Sequence, residues 1–132
     1  MTRTVVVGGT GPTIGESVAR RFASEGDRVA LWARSESFTE EFAADLQSET
    51  PGDVIAQRVD VTEPDAVASA VEELHETFGS VDVYVHNTPV PNWSGPSDDD
   101  PEALRTTVET VEYGLGSSST RCSRTYWTVG RR

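Results

Sequence analysis

Gly8-Gly9-Thr10-Gly11-Pro12-Thr13-Ile14-Gly15, directly after the apolar run TVVV at residues 4–7, decides how this chain is read. A short β-branched apolar run suits a strand buried on both faces, and the glycines break it. Ile14, Val18 and Phe22 then recur at i, i+4 and i+8. That stripe predicts a helix ending near Glu25, with Gly26 in the C-cap role. A strand, a glycine-rich turn and a helix in this order let backbone N–H groups come close to a diphosphate at the positive end of the helix. The alternative is a turn that serves only to pack helix against strand.

Working outward, the same alternation repeats. Residues 29–32 form a second strand, and Phe38, Phe42 and Leu46 mark the buried stripe of a second helix, closed by Pro51 and Gly52. Residues 54–59 form a third strand. Thr62 is placed as an N-cap, with Asp65 three residues on as an acid variant of the capping box. Val67, Val71, Leu74 and Phe78 line the third helix, which Gly79 stops. Residues 81–85 make a fourth strand, and residues 86–100 a loop rich in Pro, Gly, Asn and Asp. Asp100, Pro101 and Glu102 predict the start of a fourth helix running to about Val111. Four strand–helix units with short connections imply an α/β fold: one parallel sheet covered by helices on both faces, over residues 3–111.

The chain has 132 residues, enough for one domain. No stretch approaches the roughly 18 apolar residues of a membrane span, and Met1 leads into the first strand without a signal-peptide pattern. A soluble, cytoplasmic protein is expected. A single cysteine, Cys122, excludes an internal disulfide, and no metal site is expected around it. There are 22 acidic residues against 11 arginines and no lysine, a net charge of −11. Such a charge repels nucleic acid and anionic membranes, so neither is expected as a partner. Acids spread over helix faces with arginine as the cation predict adaptation to high salt, where counterions screen self-repulsion; an ordinary acidic surface is the alternative. Residues 1–112 carry −15, whereas residues 113–132 (YGLGSSSTRCSRTYWTVGRR) carry +4 and no acid. This basic tail shows little periodicity, and the expectation is that a reading-frame change or truncation replaced the original continuation, leaving a segment without order. A functional basic tail is the alternative.

The glycine turn resembles the TGxxxGxG fingerprint of the short-chain dehydrogenase/reductase family, with Gly9 and Gly15 as first and last glycines and Thr13 in place of the middle one. Asp60-Val61 resembles the family's adenine-contacting pair, and residues 81–89 (VDVYVHNTP) its DVLVNNAG segment. His86 stands for the first asparagine, Asn87 for the second. The resemblance covers residues 3 to about 112, the cofactor half of the family. It implies a Rossmann-type doubly wound sheet, truncated after about four β–α units. It implies Gly9, Thr10, Gly11, Thr13, Ile14, Gly15, Arg34, Ser35, Asp60, Val61 and Asn87 as cofactor-binding residues. Where an acid at the end of the second strand would hold the ribose 2′-hydroxyl of NAD, this chain has Ala33-Arg34-Ser35. A guanidinium there suits the 2′-phosphate of NADP, with NAD the alternative.

The family's proton transfer uses a Ser and a Tyr with a Lys four residues later. This chain has no lysine, Tyr113 is followed four positions on by Ser117, and Tyr126 by Gly130. In place of the family's asparagine on the fourth helix the chain reads Val111-Glu112-Tyr113-Gly114. No catalytic residue is assigned, and His75 and His86 are read as surface and loop histidines. The resemblance implies an oxidoreductase whose intact parent passes hydride between NADP(H) and a small carbonyl or alcohol substrate. A non-catalytic NAD(P)-binding, sensing or interaction module is the alternative. With the further strands of the family missing, an open sheet edge predicts a homo-oligomer or poor solubility.

Overall fold

The computed structural model describes residues 1–88 and 101–122. Pro89, the loop at 89–100 with its expected N-cap Asp100, and the tail at 123–132 lie outside the described residues. In chain order the elements are β1 (Thr4–Gly8), α1 (Ile14–Ser24), β2 (Arg28–Ala33), α2 (Glu36–Glu49), β3 (Val54–Arg58), α3 (Pro64–Thr77) and β4 (Val83–His86). Then come α4 (Pro101–Val108), a π-helical turn (Glu109–Tyr113) and α5 (Gly114–Cys122).

The strands form one four-stranded sheet in the order β3-β2-β1-β4, and each neighbouring pair is parallel. Successive side chains of a strand point to opposite faces, so each strand supplies two cores. Val5, Val7, Val29 and Leu31 pack with Ala19 and Ala23 of α1 and Phe42, Ala43 and Leu46 of α2. Val6, Ala30 and Trp32 pack on the opposite face with Val67, Ala70, Val71 and Leu74 of α3, joined by Cys122 of α5. Trp32 is fully buried, and its indole N–H donates to Gln57 Oε1 at 2.8 Å, while Gln57 Nε2 donates to the Ala70 carbonyl at 3.0 Å. The indole N–H of Trp32 and the Gln57 amide are thereby satisfied inside this layer.

Five expectations need correction. The buried face of α1 is Gly15, Ala19 and Ala23, with Val18 and Phe22 at its flank, while Ile14 is 64% exposed. Small residues let the helix lie close against the sheet, which rotates the contact line away from the larger side chains. Thr62 does not cap α3: the helix begins at Pro64 with Glu63 at the N-cap position, and Thr62 instead donates to Asp60. The fourth strand is shifted to Val83–His86; just ahead of it the Asp82 N–H donates to the Thr4 carbonyl while the Asp82 carboxylate, in place of a backbone carbonyl, accepts from the Thr4 amide, both at 2.8 Å. The last helix does not stop near Val111. The Gly114 N–H reaches back five residues to the Glu109 carbonyl, and α5 continues to Cys122. Gly114, Ser118 and Cys122 are its buried face while Leu115 is 43% exposed, a stripe of small residues that a search for large apolar side chains passes over. A Cβ on Gly114 would stand 2.7 Å from Val61 Cγ2, so the helix backbone itself lies on the third strand's tip. His75, read as a surface residue, is half-buried, and its Nε2 is buried with no hydrogen bond among the described residues.

Arg3 ties the chain's start to the α1–β2 turn. The Asp27 carboxylate, in a residue 1% exposed, accepts from the Arg3 amide at 2.9 Å and from Arg3 Nε at 3.0 Å. The hydrogen bonds from Arg3 hold the Asp27 carboxyl below the usual carboxylate range, against the opposing effect of burial. A lowered folded pKa means stability that is complete above the unfolded carboxylate value of about 3.9 and is lost as pH falls through the folded one. Asp27→Asn should cost about 1.5–3 kcal/mol at neutral pH, the worth of hydrogen bonds to a charged group. Urea unfolding from pH 7 to pH 2 should show this deficit shrinking below about pH 4, as the native carboxylate itself protonates; a pH-independent deficit would contradict the assignment.

Candidate functional site

The strand order makes the site. Successive connections run from β1 outward to β3, and then β4 returns to the other side of β1. A crevice opens at the C-terminal ends of strands where the winding reverses, between β1 and β4. The turn after β1 lies there. Gly9 has φ +82°, a left-handed conformation that glycine adopts without strain. A Cβ at that position would overlap the Asn87 carbonyl and stand 2.6 Å from Thr88 Cα. Asn87 closes the contact by donating Nδ2–H to the Gly9 carbonyl at 3.2 Å and its backbone N–H to the Gly8 carbonyl at 2.7 Å.

The amides of the turn are not equivalent. Those of Gly9 and Thr10 both donate to the Trp32 carbonyl at 3.0 Å, which pins the turn to the tip of β2. A helix leaves its first four N–H groups without intrahelical acceptors. In α1, Glu16 N–H reaches the Gly11 carbonyl and Ser17 N–H the Thr13 carbonyl. Ile14 and Gly15 remain, with no backbone acceptor among the described residues. Thr13 stands at the N-cap position without a side-chain cap, so no cap among the described residues covers them there.

A cavity of about 310 Å³ adjoins the turn. Its walls are Gly9 and Thr10 after β1, Trp32 to Ser35 after β2, and Val59 to Thr62 after β3. Thr88 beyond β4 and Thr106, Glu109 and Thr110 of the last helix complete it. Of the expected residues, Gly9, Thr10, Arg34, Ser35, Asp60 and Val61 meet in this cavity. Arg34 is exposed, and no ion pair among the described residues involves it. Asp60 Oδ1 accepts from the Thr62 amide at 3.0 Å and the Thr62 hydroxyl at 2.6 Å, which fixes the carboxylate at the strand tip. Val61 is 4% exposed and packs under α5. Thr13 and Ile14 line a separate groove along the outer face of α1, Gly11 has open space beside it, and Gly15 lies under the Gly9 carbonyl. Asn87 sits behind the turn, holding it, rather than in the cavity wall.

Sequence reasoning missed Trp32, Val59, Thr62, Thr88, Thr106, Glu109 and Thr110. Thr62 and Thr88 adjoin noticed motifs, but the last helix gave no signal, because only tertiary packing brings it over β3. Tyr84 Oη lies 2.9 Å from His86 Nδ1, and His86 Nε2 lies 3.4 Å from Thr88 Oγ1. Burial pushes the Tyr84 phenol up to about 12 and lowers the His86 imidazole, which a backbone hydrogen bond to Thr110 partly offsets. Burial likewise pushes the Cys122 thiol up to about 12, so this buried cysteine is an unreactive thiol at neutral pH. Among the described residues no three His, Cys, Asp or Glu side chains form a metal-binding cluster, and no helix is long and apolar enough to cross a membrane.

Residues 3–120 match the family model of the short-chain dehydrogenases. The chain belongs to this family. An uncharacterised oxidoreductase of Staphylococcus saprophyticus is 32% identical over 107 residues, 81% of this chain and 46% of that protein. The alcohol dehydrogenase of the archaeon Thermococcus sibiricus, solved with 5-hydroxy-NADP, superposes with a TM-score of 0.85 at 27% identity, covering 92% of this chain and 52% of that one. The L-sorbose reductase of Gluconobacter frateurii, solved with NADPH and L-sorbose, does so with a TM-score of 0.83 at 25% identity, covering 92% and 46%. The chain thus spans about half the length of these short-chain dehydrogenases. The match reaches Thr120, so it includes most of α5, beyond the boundary near residue 112 read from the motifs.

The fit of Gly9 against Asn87 makes a sharp contrast with Gly11. An alanine at Gly9 carries a left-handed backbone costing about 1–2 kcal/mol and an overlap costing about 1–3, together about 2–5 kcal/mol. Gly11→Ala, in open space, should stay within about 1 kcal/mol of the parent. Thermal and urea unfolding of the two variants side by side checks the difference; equal losses would refute the close approach.

Proposed function

We propose that this chain is the NADP(H)-binding half of an oxidoreductase and that by itself it binds the dinucleotide without turning over a substrate. One observation carries the reading: the N–H groups of Ile14 and Gly15 at the start of α1, without a backbone acceptor among the described residues, stand beside a glycine turn at the reversal of the strand order. Two unpaired amides at the positive end of a helix are a donor set matched to a diphosphate. Gly15 and Gly11 add no side chain that would bar a close approach.

In this reading Gly9 and Thr10 shape the turn through Trp32, and Asn87 braces it from behind. Asp60 and the Val61 backbone take the adenine end, with Thr13 and Ile14 flanking the diphosphate. Arg34 and Ser35, at the mouth of the cavity, take a 2′-phosphate: an exposed guanidinium without an ion pair offers a bidentate fork to it. That two structural relatives are solved with 5-hydroxy-NADP and NADPH supports this choice over NAD. The bound nicotinamide would supply or take up hydride at the carbon of a small carbonyl or alcohol. The proton that accompanies hydride needs a positioned donor, for which the family's tyrosine and lysine have no counterpart in a chain without lysine.

The acidic composition, 22 acids against 11 arginines, supports operation in a salt-rich cytoplasm. Of the basic tail at 113–132, residues 114–122 form α5 and the family match runs to Thr120, so the two readings, a basic functional tail or a replaced continuation, are kept only for the residues beyond it. Isothermal titration in concentrated potassium chloride should register NADPH binding by the wild type, and assays with small ketones and alcohols should show no turnover. Arg34→Ala should weaken NADPH by about tenfold, the equivalent of about 1.4 kcal/mol, and NADH by less than about twofold. Absence of NADPH binding by the folded chain would refute the proposal, and equal losses for both dinucleotides would refute the role of Arg34.

A further inference from the structure

We infer that His86 is a positioning residue of the cavity: fixed as the Nε2–H tautomer by the Tyr84 phenol, it clamps Thr88 on one wall to Thr110 on another. The ligand in that cavity rests on the proposed function; the clamp itself rests on geometry. Tyr84, His86 and Thr88 follow one another at i, i+2 and i+4 along β4 and its extension, so they share a face. The phenol is seated between Trp32, whose ring centroid lies 6.0 Å away, and Gly8, where a Cβ would stand 2.8 Å from the hydroxyl oxygen. A side chain at position 8 would therefore displace the phenol, and with it the histidine.

The phenol, pushed up to about 12 by burial, keeps its proton at neutral pH; in the proposed clamp it donates to His86 Nδ1, 2.9 Å away, while the Ser118 side chain bonds the same hydroxyl. A neutral imidazole has one donor and one acceptor, so Nε2 carries the ring proton. That N–H faces the Thr88 hydroxyl at 3.4 Å, and the imidazole is also hydrogen-bonded to the Thr110 backbone, where a carbonyl accepts. Both threonines line the cavity, one beyond β4 and one on the π-helical turn. With its oxygen accepting from Nε2, the Thr88 hydroxyl is left to donate, and the ligand it suits presents an oxygen acceptor there. Successive bonds of this kind polarise one another in a buried setting.

Long-range 1H–15N spectra of the wild type read the tautomer without any ligand, and NADPH titrations of His86→Ala, His86→Gln and Tyr84→Phe read the clamp. Neutral Nε2–H imidazole is expected at pH 7. His86→Ala should weaken NADPH by about tenfold, and His86→Gln, whose amide nitrogen can stand where Nε2 does, should recover most of that loss. Tyr84→Phe keeps the ring packing, so it should fold, mix the His86 tautomers and weaken NADPH by about threefold to fivefold. An Nδ1–H tautomer in the wild type, or unchanged affinity in folded His86→Ala, would overturn the inference. If His86→Ala does not fold, Tyr84→Phe with unchanged affinity and spectrum overturns it equally. A wild type that binds no NADPH removes the proposed function instead, and the ring spectrum still decides the clamp.

Discussion

The tip of β1 can lie against the tip of β4 only because position 9 has no side chain. Asn87 then locks the approach with two hydrogen bonds to the Gly8 and Gly9 carbonyls. From that contact the rest of the site follows. It holds the turn open at its outer side and sets the angle at which α1 leaves the sheet. It also brings the β4 extension, with Thr88, to the edge of the cavity. The two turn amides that face inward are spent on Trp32, which joins the same turn to β2. The turn is therefore anchored to both neighbours of its strand, and the two free amides of α1 are presented from a rigid support.

The last helix is the second constraint. Gly114, Ser118 and Cys122 give it a narrow face, so its backbone approaches Val61 and the α3 side of the sheet closely. One π-helical turn shifts the phase of the helix, so that Thr106, Glu109 and Thr110 roof the cavity before it and the small residues pack after it. A regular α-helix over the same stretch would carry these two faces around at a different angle. Packing and site are coupled through this one irregularity, and the buried Ser118 hydroxyl, which meets the Tyr84 phenol, lies in the packed half.

Electrostatics divides in the same way. The chain carries a net charge of −11, yet Arg34 at the cavity mouth makes no ion pair among the described residues, although Asp60 and Glu109 line the same cavity. A cation freed from ion pairs is available to a phosphate, whereas Arg3, Arg20 and Arg21 are committed to carboxylates of the scaffold. Membership of the short-chain dehydrogenases accounts for the sheet, the turn and the position of Asp60. It does not account for the replacement of the family's threonine before the first glycine by Gly8 or for the Tyr84–His86 pair, which fit one another in space.

The sequence by itself determined the type and order of the elements as far as the start of α4. Periods of two and of three to four residues are local, and so are the signals of Gly26, Gly79 and Pro101 at helix ends. It also determined the chemistry of the turn, because glycines between a strand and a helix carry their meaning in their neighbours. Only the tertiary structure decided which strands are adjacent, since strand order depends on contacts between residues far apart in the chain. It alone showed that the Gly9 and Thr10 amides are already taken, that Asn87 braces rather than lines the site, and that the cavity is closed by residues after position 100. The helix through 114–122 escaped notice for the same reason. Its buried stripe is made of Gly, Ser and Cys, whose burial comes from close approach and not from apolar bulk, and closeness is a property of the fold rather than of the residue.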